Sequence, residues 1–99
     1  MIIDQSILNF IINYVIDNFG GDISSLEVTT DHAYYVVRHK LFLSTVRYYF
    51  EFEEKCTDSD GVLSNDLILE REYNLIGNDK YFVFKKRPLS TGEVVLTEI

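Results

Sequence analysis

The chain has 99 residues, 46% of them hydrophobic and 25% charged, with a net charge of −7 and a pI near 4.6. That is enough apolar material for one modest core, so a disordered chain is excluded. An acidic chain is repelled by phosphate backbones and anionic lipid surfaces, which reward lysine and arginine; direct nucleic-acid and membrane binding are therefore not expected, while a basic protein partner is allowed.

Residues 5–19 read as a helix, with Asp4 as N-cap and Gly20-Gly21 as the stop. Its polar positions, Ser6, Asn9, Asn13 and Asp17, recur every three or four residues and form one narrow stripe. The remaining apolar arc is wider than the ~100° a surface helix needs. Either a curved sheet cradles the helix, or its second side is buried against another chain. The segment carries Asp4 and Asp17 and no basic start, so it does not read as a signal peptide or a membrane span.

Beyond the glycines the hydrophobic period changes to two. Candidate strands lie at about 24–30, 33–39, 42–54, 62–73, 80–86 and 93–98; the pattern at 33–41 also fits a helix face. The clearest is 42–54, in which Phe42, Val46, Tyr48, Phe50 and Phe52 point one way. In 66–73, Leu67, Leu69 and Tyr73 oppose Ile68, Glu70 and Glu72. Pro88, in the link at 87–92, cannot sit inside a central strand.

One helix followed by five or six strands on short links predicts an α+β single domain, 1–99, with the N-terminal helix packed on a curved antiparallel meander. This element order is similar to that of cystatin-like folds, in which a sheet curls around an N-terminal helix. The resemblance is one of architecture and implies no activity.

The stretch Asp58-Ser59-Asp60-Gly61 raises the question of a calcium loop. Aligning an EF-hand on Gly61 places Cys56 at the first ligand position and Leu67 at the last, and neither is a hard oxygen donor. A hairpin connector between 42–54 and 62–73 is expected instead. Pairing Phe50 with Leu69 and Phe52 with Leu67 then gathers Glu51, Glu53, Asp66, Glu70 and Glu72 on the face away from the phenylalanines. Residues 51–79 hold nine acids against Lys55 and Arg71, so most of the negative charge falls on this segment.

Other chemistry finds little support. His32 and His39 are too far apart on separate elements to suggest a metal pair, and no zinc-ligand spacing occurs. Cys56 is the only cysteine, which fits a reducing, cytoplasmic setting, and its acidic surroundings argue against a reactive thiolate. Paired glutamates suit glycoside hydrolysis only in a deep cleft, which a short meander seldom encloses. No glycine-rich phosphate cradle is present. Neither a metal nor a cofactor is expected.

The expectation is therefore a small, non-enzymatic protein-binding module. Size, acidity and absent catalytic motifs collectively resemble inhibitors of the phage anti-defence or immunity type. Such a protein would block a basic target, for example a nuclease or DNA-binding protein, through Glu51, Glu53, Asp58, Asp60, Asp66, Glu70 and Glu72. Tyr35, Tyr49 and Tyr81 are candidate aromatic anchors. The alternatives are a homodimeric assembly protein using the apolar helix, or a small-ligand binder with a pocket between helix and sheet.

Overall fold

The computed structural model describes residues 3–88. Helix α1, Gln5–Phe19, starts where the Asp4 carboxylate accepts the Ser6 N–H at 2.9 Å. The Ser6 hydroxyl donates to the same carboxylate, and these two bonds hold the Asp4 carboxyl below the usual aspartate range. Gly20 and Gly21 end the helix at φ 79° and 91°. At Gly21 a Cβ would also meet His39 Nε2 at 2.6 Å, so both conformation and space demand glycine.

A short 3₁₀ turn, Ile23–Ser25, leads into five strands: β1 (Leu26–Asp31), β2 (Tyr34–Lys40), β3 (Thr45–Phe52), β4 (Leu67–Asn74) and β5 (Lys80–Lys86). Residues 34–40 are a strand, which settles the ambiguity of that segment. The strand expected at 93–98 lies outside the described residues. The class is α+β, with one helix on one face of an open sheet.

The helix is cradled. Ile7, Ile11 and Val15 are buried against Val37, Val46, Tyr48, Phe50, Phe82 and Phe84. Phe10 and Tyr14 set their rings edge-on to Phe84 at 5.0 and 5.2 Å, and Phe19 stacks on Tyr48 at 4.5 Å. The large apolar side chains that stand exposed all lie outside the helix, so the sheet takes up the wide apolar arc. Phe10, Tyr14 and Phe19 of the helix pack against this core between helix and sheet.

The strand order β1-β2-β3-β5-β4 is not a meander. β5 runs parallel to β3 and lies between β3 and β4, so the expected hairpin of 42–54 with 62–73 does not form. Phe50 pairs with Phe82 and Phe52 with Phe84, while Leu69 faces Phe84 from the other side. The reason lies in the two sequences. β5 buries Phe82, Val83 and Phe84 in succession, using both faces, and lateral neighbours on each side shield such a strand. β4 carries Glu70, Arg71 and Glu72 and is mostly exposed, which suits an edge that must not pair further.

Residues 53–66 bridge the end of β5, a span of about two strand spacings or ~10 Å. The connector is tied down on the way. Glu53 N–H donates to Phe84 O at 2.9 Å, Cys56 Sγ lies 3.5 Å from the same oxygen, and Arg87 N–H donates to Asp66 O at 2.9 Å. Leu63 N–H donates to Ser6 Oγ at 2.8 Å, joining the connector to the helix start.

Candidate functional site

The period-two alternation of the strands builds a second face, opposite the helix, on which no described element lies. Tyr34 and Val36 from β2, Tyr49 and Glu51 from β3, Tyr81, Val83 and Lys85 from β5, and Arg71 and Tyr73 from β4 all point there. Register sets Val36, Tyr49, Tyr81 and Tyr73 in one row across four strands. The tyrosine rings touch: Tyr34–Tyr49 at 5.6 Å, Tyr34–Tyr81 at 6.1 Å, Tyr49–Tyr81 at 5.9 Å and Tyr73–Tyr81 at 6.2 Å between centroids. Tyr49 and Tyr81 stack with an interplanar angle of 17°.

The acids on this face are woven into the tyrosines. Tyr81 OH donates to Glu51 Oε1 at 2.5 Å. Burial and then this carboxylate push the phenol up to about 12, so it stays protonated. Tyr34 OH donates to Asp31 Oδ2 at 3.2 Å, which raises that phenol too. Interaction with the Glu70 side chain, and then burial, raises the Glu53 carboxyl, with Arg71 and Lys85 pulling the other way. Arg71 Nη2 lies 3.9 Å from Glu53 Oε2, and the same guanidinium sits 6.0 Å over the Tyr73 ring.

A β-bulge decides which β4 residues belong here. Leu69 pairs with Phe84 and Arg71 with Val83, so Glu70 is an extra residue in the ladder. Glu70 and Arg71 consequently both reach Glu53. Beyond the bulge the parity is reversed. Tyr73, expected on the core side, pairs with Tyr81 on the open face. Glu72, expected beside Glu70, pairs with Phe82 on the helix side, where its charge bears on Tyr14 and lies 3.6 Å from Lys80 Nζ.

Among the carboxylates singled out from the sequence, Glu53 and Glu70 meet, Glu51 lies on the same face bonded to Tyr81, and Glu72 does not join them. Asp58 and Asp60 sit in the connector at the end of the sheet. Asp58 Oδ1 accepts the N–H groups of Asp60 and Val62 at 2.9 and 3.0 Å, and Gly61 turns at φ 83°. Those bonds make Asp58 a turn former, as expected for a connector, although the turn does not join a hairpin. Asp66 pairs with Arg87 at 3.0 Å. Among the described residues no three potential metal ligands cluster.

Tyr35, one of the candidate anchors, faces the helix side and sets its ring edge-on to Phe52 at 5.9 Å. Sequence reasoning missed Tyr34, Tyr73 and Arg71. The signal for Tyr34 was present: each Tyr-Tyr doublet, 34–35 and 48–49, must send one ring to each face of its strand. The bulge that redirects Tyr73 and Arg71 carries no such signal.

Three further features lie off this face. His39 is buried beneath Gly21 with Nδ1 3.4 Å from Tyr48 OH, whereas His32 is exposed in the β1–β2 turn, so the histidines sit at opposite ends of β2. Buried Cys56 borders an open depression of about 420 Å³ with Lys55, Asp58, Leu63 and Lys86, and burial raises its thiol. Phe42, expected to point inward with Phe50, instead stands 97% exposed in the β2–β3 turn, because the strand begins only at Thr45. Leu43 beside it and Ile76 in the neighbouring β4–β5 turn are 88% and 96% exposed. No helix of the described residues is long and apolar enough to cross a membrane. Comparison with protein-family models, with curated proteins and with solved structures finds no match.

Proposed function

We propose that this chain is a non-enzymatic protein-binding module whose helix-free sheet face docks a basic protein, as an inhibitor of the immunity or anti-defence type would. The observation that carries the reading is the open cluster of four touching tyrosines, with Glu51 bonded to Tyr81 and with Glu53 and Glu70 on the same face. Tyrosine supplies large, stiff contact area with a polar tip and is enriched at interfaces. Carboxylates beside it offer acceptors to a positively charged partner, although Arg38, Arg47, Arg71 and Lys85 on the same face offset part of their charge. The target class is a nuclease or DNA-binding protein, whose phosphate groove such a face would occlude.

The test is reversal of Glu51, Glu53 and Glu70 to lysine in one variant, followed by capture of basic proteins from lysate at low and high salt. The expected outcome is loss of the salt-sensitive partner with the thermal transition retained. An unchanged set of partners would remove the reading.

A second reading, an assembly module, draws on the exposed turn residues Phe42, Leu43 and Ile76 rather than on the helix. These two turns lie at the same end of the sheet, since β3 and β5 both begin there. Sedimentation over a wide concentration range tests it: a concentration-dependent dimer abolished by Phe42→Ser supports self-assembly, and a monomer throughout opposes it.

A further inference from the structure

We propose that the recognition element this face takes is an arginine side chain of the partner, stacked on the Tyr49–Tyr81 pair and joined to the Glu51 carboxylate. This inference rests on the docking reading above and specifies its chemistry.

The chain itself contains the template. Arg71 lies over the Tyr73 ring at 6.0 Å while its guanidinium reaches Glu53 at 3.9 Å, so one tyrosine and one glutamate on this face already hold a guanidinium. Tyr81 and Glu51 repeat that pairing one strand further in, with Tyr49 added as a parallel ring. The difference is that, among the described residues, no cation lies within ion-pair distance of Glu51, and Arg71 bears on Tyr81 only as a more distant charge. Among the described residues Glu51 makes no salt bridge, and its hydrogen bond comes from a neutral phenol. The Tyr81 OH engages Oε1 and leaves Oε2 for a further donor.

Planarity decides for arginine over lysine. A guanidinium offers flat faces to a ring and several in-plane donors to a carboxylate at the same time, whereas an ammonium is a compact, strongly hydrated point charge. A stacked tyrosine pair beside a carboxylate matches the first geometry and gives the second only its charge. The half-buried rings are held by their neighbours, so little ordering is needed on binding.

The experiment titrates the whole chain with two blocked peptides, Arg-Gly-Arg-Gly-Arg and Lys-Gly-Lys-Gly-Lys, at low and at physiological salt. NMR follows the tyrosine ring signals and the arginine side-chain protons. The arginine peptide is expected to bind about 2- to 5-fold more tightly per engaged residue, the contribution of an exposed cation–π contact. Its side-chain protons shift upfield, and Tyr49 and Tyr81 respond. Tyr49→Leu, which keeps a strand-compatible side chain but removes the π face, erases the preference; Glu51→Gln weakens both peptides. Equal affinity of the two peptides with silent Tyr49 and Tyr81 signals overturns the arginine assignment and leaves a merely electrostatic basic-partner face standing. Failure of both peptides to perturb this face at low salt overturns both readings. The wild-type shift map needs no variant, so a variant that fails to fold does not blunt the test.

Discussion

The two faces of the sheet are both aromatic, yet they do opposite things. The helix side is dry: Phe50, Phe82 and Phe84 are at most 3% exposed and pack on helix α1 through rings that carry no polar atom. The open side uses tyrosines, of which Tyr34 and Tyr81 end on carboxylates, and their rings stay partly exposed. The same β-branched and aromatic alternation thus builds a core under the helix, Tyr48 included, and a partly wetted surface on the uncovered side. What separates the two faces is the helix that covers one of them.

The largest contrast should come from truncating one ring on each face. Phe82→Ala removes a fully buried side chain and is expected to cost about 3–5 kcal/mol in urea unfolding. Tyr49→Ala, on the open side, is expected to cost about 1 kcal/mol or less, since part of its surface is already in water. Equal losses would mean that the open face is also a core.

A subtler difference concerns protons. The neighbouring Glu70 side chain raises the Glu53 carboxyl in the folded state above its ordinary value of 4.5. The fold therefore binds that proton more tightly than the unfolded chain does. The associated stability is present below the ordinary glutamate value and is lost as pH rises through the higher folded-state value. Glu70→Gln should flatten that acid-side dependence, measured as denaturation midpoints across mildly acidic pH, while Glu72→Gln, on the helix side, should leave it in place. A Glu70→Gln midpoint curve that overlies the wild type would remove the coupling between the two carboxyls.

The smallest effect is expected at the Asp66–Arg87 pair, where the side chains are 56% and 60% exposed. Asp66→Asn should change stability by about 0.5 kcal/mol or less, because exposed ion pairs contribute little. A larger loss, read by chemical denaturation, would show that the connector at the β5 end matters more than its side chains suggest.

Much of this architecture was legible before any coordinates. Asp4, the polar stripe of α1 and Gly20-Gly21 define the helix, and the alternation in 45–52 assigns Tyr48, Phe50 and Phe52 to one side. The acids of β3 could be assigned to the other side by the same parity. Pairing was not legible in this way, because alternation says which residues share a face and nothing about which strand lies alongside. Consecutive strands usually pair, and the 53–66 connector reads like a turn, yet it is long enough to step over a strand. The tyrosine row was half visible, in the doublets at 34–35 and 48–49; Tyr73 joins it only through the bulge at Glu70.

The amino-acid order alone determined the helix and its ends, the class of the fold, the inward set of each regular strand and the acidity of the middle segment, since these follow from local periodicity, capping and charge. Tertiary structure alone decided that β5 enters between β3 and β4, that Glu70 and Arg71 turn to the same side, and that four tyrosines from four strands meet, one of them bonded to Glu51. The physical reason is that strand neighbours and bulges are settled by the burial of whole faces, and the doubly apolar β5 gains more from a central position than the charged β4 does.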